Sequence, residues 1–321
     1  MFVPESPALL RIVGNRLLLS VPLLLIVSTL TFLLEALIPG DLARTIVGPQ
    51  GTQAQYLQLK HSLGLDQPLI TRYQKWLENV GHGGFGASLF NHEPVTMLLN
   101  GRLSVTLSLV IGSTLLAAVV GVLLGIAGAL RADIGGTAVD ALSLVGLAIP
   151  NFFLGLLLIA LFAVAIPLFP ATGYVPFDES PLDWARSLVL PVVALATPGI
   201  AVVAKQTRDS MRAVLERPFI RTLRAAGLPR RSIIFKHALR SAAAPVVTVL
   251  GLIFVASLGG TVVVESVFAM PGLGGLAVQA TTQHDLPLIQ GVAVYFTGLV
   301  VVVNLLIDLA YGWLDPRVRV E

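Results

Sequence analysis

Lysine is the first residue type here that could hold a nucleotide phosphate, and the chain has four: Lys60, Lys75, Lys205 and Lys236. None ends a G-x-x-x-x-G-K-[ST] run, the spacing that folds a loop of backbone N–H groups around phosphates. The chain alone is therefore expected to hydrolyse no ATP. The five histidines (His61, His82, His92, His237, His284) contain no i, i+4 pair and no H-E-x-x-H, so no zinc site is expected. There is no cysteine, which removes disulfides, thiolate metal sites and a cysteine nucleophile. Carboxylates that relay protons across a membrane belong near helix centres. Glu35, Glu265 and Asp308 instead fall toward the ends of apolar stretches. Gly259 and Gly260 read as close-packing residues of an apolar helix. No catalytic, cofactor or metal residue is expected, and the energy for any transport has to come from another chain.

What the sequence offers in place of reactive groups is apolar length. Of 321 residues, 55% are hydrophobic and only 12% charged, against about 25% charged in soluble domains. The mean hydropathy is +0.85. A helix needs about 20 apolar residues to cross the hydrocarbon core, and six stretches qualify: 17–38, one within 103–130, 141–167, 187–204, 245–264 and 288–313. An all-α integral membrane protein with six transmembrane helices is predicted. Arg11 and Arg16 precede the first stretch as in a signal peptide, but its charge-free run is too long for an h-region and ends in Glu35 without a small-residue cleavage site. An uncleaved first helix is expected.

Basic residues set the orientation. The net charge of +3 and the pI near 9.4 reflect placement relative to a membrane, not nucleic-acid binding. Residues 205–240 hold ten of the 21 lysines and arginines and two acids, Asp209 and Glu216, so this segment is expected in the cytoplasm. Counting helices from there puts residues 1–16 and 314–321 inside as well. Residues 39–102 then form an extracytoplasmic segment ahead of a core membrane domain, 103–313. Within that segment LGLDQPLITRYQKWLENV and EPVTMLLNGRL read as short helices joined by GHGGFGASLFN, with Tyr73 and Trp76 suited to an interfacial belt. The segment serves as a cap or as a dock for an external partner.

Two places stand out. Pro150, inside GLAIPNFFLG, breaks the third stretch, and such breaks are tolerated where protein or a water-filled cavity meets the freed carbonyl. The polar or kinked points Asn151, Phe152, Ser257 and Asn304 are candidates for a pathway, or for packing between helices. The second place is RPFIRTLRAAGLPRRSIIFKHALRSAAAPVV. Pro218 suits a first helical turn and Gly227 a helix end, which predicts a short helix over 219–226. Phe219, Leu223 and Ala226 share one face, ringed by Arg217, Arg221 and Arg224. Such a helix can lie in a partner's groove or touch anionic headgroups.

This loop resembles the coupling loop of ABC importer permeases, whose general pattern is E-A-A-x-x-x-G-x9-I-x-L-P. Set on Gly227, the pattern keeps the glycine and Leu239 and departs at Arg221, Thr222, Leu223, His237 and Arg240. The departures match the peptide-importer branch, R-T-A-R-A-K-G-L…H-A-L-R-N, where only Leu223, Ala226 and Ser241 differ. L-I-P-G-D, LGLDQPL, I-P-N-F-F-L-G, GGTVVVESVFAMPGLGGL and NLLIDLAYGWLDPRVR extend the resemblance over nearly the whole chain, to the B-type permease of dipeptide and oligopeptide importers. The resemblance implies a type I ABC importer fold in a bacterial cell membrane. It also implies a second permease subunit, two cytoplasmic ATPases carrying ATP and Mg, an external substrate-binding protein and a peptide cargo. Arg217, Phe219, Arg221, Thr222, Leu223, Arg224, Ala225 and Gly227 would form the ATPase-coupling surface within loop 216–228. The same branch includes nickel and glutathione systems, so nickel or another small solute is the alternative cargo. A secondary transporter is a further alternative.

Overall fold

The computed structural model describes residues 6–37, 42–130, 140–141 and 145–314. Residues 1–5 and 315–321 of the expected tails lie outside the described residues, as do residues 38–41 of the L-I-P-G-D motif and 142–144 of the third stretch; residues 6–16 belong to the first helix. Among the described residues there is no strand, only an isolated bridge between Ala87 and Pro94.

The helices, in chain order, are α1 (Ser6–Leu37), α2 (Leu42–Val47), α3 (Gln53–Ser62), α4 (Leu69–Gly81), α5 (Val95–Leu130), α6 (Asn151–Ala165), α7 (Pro181–Leu215), α8 (Pro218–Ala225), α9 (Arg230–Val267), α10 (Leu273–Gln283) and α11 (Leu286–Leu314). Five of them are long and apolar enough to cross a bilayer: α1 over Arg16–Leu34, then α5, α7, α9, and α11 over Leu286–Ala310. α6 is apolar but shorter. Its last turns, Ala160–Ala165, widen into a π-helix, as does Ile233–Ala238 within α9.

Local chemistry accounts for the helix ends. Ser180 caps α7 by accepting the Asp183 N–H, with Pro181 at the first helical position. Thr52 and Gln55 form a reciprocal capping box that starts α3. α3 was not anticipated, although T-x-x-Q is its signature. EPVTMLLNGRL is not a separate short helix. It is the beginning of α5, because no proline interrupts the run from Val95 to Leu130. With 36 residues, α5 is about 54 Å long, well beyond the ~30 Å hydrocarbon core.

The chain divides into two compact units. In the unit built on Val105–Pro271, α7 is the central element. Pro191, Ala194, Leu195, Gly199 and Val203 are among its buried residues. Gly121 and Gly125 of α5 let the two backbones close. A methyl added at Gly125 would sit 2.5 Å from Thr207 Cβ and 2.6 Å from the Ala204 carbonyl oxygen. A second apolar cluster joins Ile126 of α5, Met211 and Val214 of α7, and Ile220, Ile233, Ile234, Ala238 and Ala242. Glu265 is buried in this unit and accepts the Thr106 hydroxyl at 2.8 Å.

In the unit built on Gly14–Ser104 and Gly272–Val301, a row of rings runs Phe32, Tyr73, Trp76, Phe85, Tyr295 at centroid spacings of 5.3, 6.0, 6.3 and 5.7 Å. The Tyr73 hydroxyl lies 2.8 Å from Ser28 Oγ and 2.9 Å from Thr29 Oγ1 on α1. Trp76 is buried. The interfacial role expected of these two rings therefore gives way to an internal one, since the aromatic face of α4 packs on protein. The buried Asp285 carboxylate accepts hydrogen bonds from the Ser88 hydroxyl and the Leu89 N–H, and so holds the loop after α4.

Gly125→Val should destabilise the chain by about 1–3 kcal/mol through overpacking against α7, read as a lower unfolding temperature in detergent. Gly101→Ala on the same helix, where nothing lies within 4 Å of an added methyl, should leave that temperature unchanged or raise it.

Candidate functional site

The short helix expected over 219–226 is α8, Pro218–Ala225. Arg217 stands at its N-cap in extended backbone and Pro218 at the first helical position. Its other end is a Schellman motif. The Gly227 N–H donates to the Arg224 carbonyl at 3.0 Å and the Leu228 N–H to the Leu223 carbonyl at 3.2 Å. Gly227 has φ +77°, a conformation that any Cβ would oppose. Residues 205–215 and 230–240, on either side, are helical parts of α7 and α9.

The face that holds α8 on its own chain centres on Ile220. Ile220 is fully buried among Met211, Val214, Ile233 and Ile234, and Leu223 and Leu228 pack against the same cluster. Phe219, 38% exposed, points away from it, and Arg217, Arg221, Thr222, Arg224, Ala225, Ala226 and Gly227 are also exposed. The predicted stripe Phe219–Leu223–Ala226 is thus divided, with Leu223 facing its own chain and Phe219 and Ala226 facing out. Two stripes were open to a helix with apolar residues at 219, 220 and 223. The scaffold beneath selected the i, i+3 pair Ile220 and Leu223, a choice that spacing within the octapeptide could not make.

A charge cluster ties Asp140 to α7. Arg208, only 5% exposed, reaches Asp140 at 2.8 Å and Asp209 at 3.0 Å, while Lys205 lies 3.5 and 3.6 Å from the same two carboxylates. The hydrogen bond from Arg208 holds the Asp140 carboxyl below the usual carboxylate range. None of these four was singled out in the sequence. The signal available was the acid Asp209 within a basic run, one turn after Lys205 on the same helix.

Of the four pathway candidates, the structure brings two together. Asn151, at the start of α6 after the break at Pro150, and Ser257, buried on α9, line one cavity of about 240 Å³ with Leu195, Pro198 and Gly199 of α7 and Ile253 of α9. Phe152 is exposed and Asn304, on α11, is exposed, and neither lines that cavity. Pro150 does not kink a continuous helix. It precedes α6, with extended backbone, and its carbonyl accepts the Leu154 N–H.

Long apolar helices thus cross on small residues, with a short capped helix held out between two of them. Residues 117–320 match the family of binding-protein-dependent transport system inner membrane components, and residues 9–110 match the N-terminal region of such components. The chain belongs to this family and is an integral, multi-pass membrane protein. A Brucella abortus protein named for peptide transport as a permease is 41% identical over 96% of this chain and 98% of its own length. The oligopeptide transport system permease protein AppB of Bacillus subtilis is 39% identical, covering 95% and 98%. The glutathione transport system permease protein GsiC of Salmonella paratyphi A is 36% identical, covering 97% and 99%. Among solved structures, the inward-facing MetNI methionine ABC transporter aligns with a TM-score of 0.51 at 19% identity, over 68% of this chain and 97% of that one. This likeness shows the fold.

Asp140→Asn should lower thermal stability by leaving Arg208 with fewer carboxylate partners. Because the folded-state pKa of Asp140 is depressed, its contribution is present above the ordinary value of 3.8 and lost as pH falls through the depressed one. The gap in unfolding temperature between wild type and variant should therefore persist from neutral pH to below pH 3.8, and close only at greater acidity.

Proposed function

We propose that this chain is one of two permease subunits of an ATP-driven importer of short peptides. The observation that carries this reading is the similarity of nearly the full chain to permeases named for peptide, oligopeptide and glutathione transport. The chain makes six membrane crossings. The sixth, short in α6, is completed by residues before Pro150, 145–148 of which are helical. Both termini and α8 face the cytoplasm, where the basic residues cluster, and residues 39–102 face outward. Two cytoplasmic ATPases hold ATP and Mg and perform the hydrolysis, and an external binding protein delivers the cargo.

α8 transmits the ATPase movement. Its ends are fixed by Pro218 and by the Schellman motif at Gly227, and Ile220 ties it to α7 and α9. A displacement of α8 therefore moves those two helices and is not absorbed in a loose loop. Phe219 supplies the apolar contact to the ATPase, and Arg217, Arg221 and Arg224 surround it. The same movement opens and closes the pathway beside Asn151 and Ser257, where α6, α7 and α9 meet.

Phe219→Ala should weaken association with the ATPase subunits about fivefold, a loss of ~1 kcal/mol for a ring already partly covered, and leave the unfolding temperature of the permease unchanged. Ile220→Ala should instead destabilise the permease by about 2–5 kcal/mol. Gly227→Val should reduce import, since a β-branched residue in the left-handed region costs about 1–3 kcal/mol. Co-purification with the ATPases, thermal unfolding and peptide uptake separate the three. Wild-type co-purification and uptake for both Phe219→Ala and Gly227→Val would overturn the assignment of α8. Labelling of a cysteine placed at Arg224 from the outer face would overturn the topology.

Asn151→Leu should lower uptake at least about tenfold if the cavity with Ser257 lies on the pathway, because the removed amide is a polar group at membrane depth that a cavity would use. Unchanged uptake in a variant that still assembles would assign Asn151 to packing alone.

A further inference from the structure

A second cavity, of about 530 Å³, lies beside α8 within the unit built on Val105–Pro271. The last residues of α5 and α7, the end of α8 with the turn after it, and the start of α9 wall it. Much of the lining is apolar. Leu130, Leu215 and Leu228 are half-buried there, next to the buried Ile233. All four belong to the cluster that holds α8 through Ile220, or pack against it. The other lining residues that carry charge are Arg224 and Arg230, and both are exposed. The volume is in the range of sites that hold small organic groups.

The charge here has one sign. Among the described residues no aspartate or glutamate lines the cavity, and Glu216, next to Leu215, is exposed outside the lining. Other cations of this unit are matched: Arg186 has Asp183, and Lys205 and Arg208 have Asp140 and Asp209. Among the described residues the guanidinium groups of Arg224 and Arg230 make no ion pair and no hydrogen bond. Two free guanidinium groups on one cavity suit an anion with several oxygens, and phosphate fits their forked donors. Arg230 is also the first residue of α9, which begins without a side-chain cap, and a helix start favours negative charge as well.

Depth and the apolar lining say where the phosphate comes from. As a helix, the charge-free run 103–130 is about 42 Å long, close to the ~40–45 Å of a bilayer with its headgroups. Leu130 ends that run, so the cavity it lines falls at headgroup level. Phe235, two residues on from Ile233, is 57% exposed, which suits lipid better than water. A free phosphate would meet the arginines and leave Leu130, Leu215 and Leu228 uncovered. A phospholipid meets both.

We propose that this cavity binds an anionic phospholipid, its phosphate between Arg224 and Arg230 and the start of its acyl chains over Leu130, Leu215 and Leu228. Basic pockets beside membrane helices hold such headgroups. The site requires only that the chain lie in a membrane, whatever its cargo. It sets a bilayer lipid against the helix proposed to meet the ATPases. Arg224 belongs to both surfaces, whereas Arg230 lies outside loop 216–228 and belongs to the lipid site alone.

The test is native mass spectrometry of the full chain in detergent, with no other subunit present, titrated with phosphatidylglycerol or with phosphatidylcholine of the same acyl chains. The first phosphatidylglycerol should bind about tenfold more tightly than phosphatidylcholine. Arg230→Gln should weaken phosphatidylglycerol about five- to tenfold, Arg224→Gln should do the same, and neither should alter phosphatidylcholine. Arg231→Gln removes an equal charge from an exposed residue that does not line the cavity. It should change the affinity less than about twofold. Deacylated glycerophosphoglycerol should bind at least about tenfold more weakly than the whole lipid. Both cavity variants should unfold at the wild-type temperature, because the two side chains are exposed, so lost binding is not lost folding. Equal affinity for the two lipids, or equal losses at Arg230 and Arg231, would overturn the site in favour of general surface charge. Glycerophosphoglycerol binding as tightly as phosphatidylglycerol would overturn it in favour of a soluble phosphate ligand. Either failure leaves the importer reading untouched, since binding is measured on the permease chain alone.

Discussion

Within a bilayer, apolar side chains gain nothing by leaving lipid for protein, so helices associate only where their surfaces fit. α7 is where that fit is made. Gly121 and Gly125 of α5 bring its backbone against Val203, Ala204 and Thr207, and Gly199 of α7 admits Ile253 of α9 and Ala117 of α5. A methyl at Gly121 or Gly125 would sit 2.6 or 2.5 Å from α7 atoms, so the helices would have to move apart. The cavity beside Asn151, the cluster under α8 and the charge cluster at Arg208 are all built on this one helix. Its two internal prolines, Pro191 and Pro198, are tolerable because the neighbours that crowd it also cover the backbone they disturb.

Among the described residues, each of the fully buried charged side chains ties two segments together. Glu265 receives Thr106, Asp285 receives the loop at Ser88 and Leu89, and Arg208 receives Asp140. Each joins residues far apart in sequence. Breaking such a tie leaves a buried group unmatched, which costs more than the bond itself contributes. These ties therefore fix which segments meet, whereas apolar packing fixes how closely.

Five of the six expected spans and the short basic helix were legible from the sequence because both are properties of a single stretch of chain: unbroken apolar length for one, proline and glycine punctuation for the other. The path of α5 was misread since a change from polar to apolar composition at Leu103 looked like a boundary, and helices do not end where polarity changes. α3 was overlooked although Thr52 and Gln55 announce it. The burial of Ile220 and the turning of Leu223 onto its own chain were not legible, as they depend on Ile233 and Ile234, which only the fold brings near. Tyr73 and Trp76 were placed at a membrane surface by their type, while Ser28 and Thr29, 45 and 44 residues away, hold the tyrosine inside. Among the pathway candidates, polarity in an apolar stretch identified Asn151 and Ser257 equally with Asn304. It could not tell which of them the packing of α6, α7 and α9 would gather.

The separation of surfaces on α8 has a consequence for how such chains diverge. Ile220, Leu223 and Leu228 secure the helix, and Gly227 ends it, whereas Phe219, Arg221, Thr222 and Arg224 stand outside that duty. On the coupling role proposed for α8, folding and recognition would draw on different positions within a dozen residues. Substitutions on the outer set would be nearly silent for the permease taken alone, and selection on them would come through the partner. Permeases that share one scaffold could in this way acquire mutually exclusive motors, each pair drifting together, without either chain passing through an unstable intermediate.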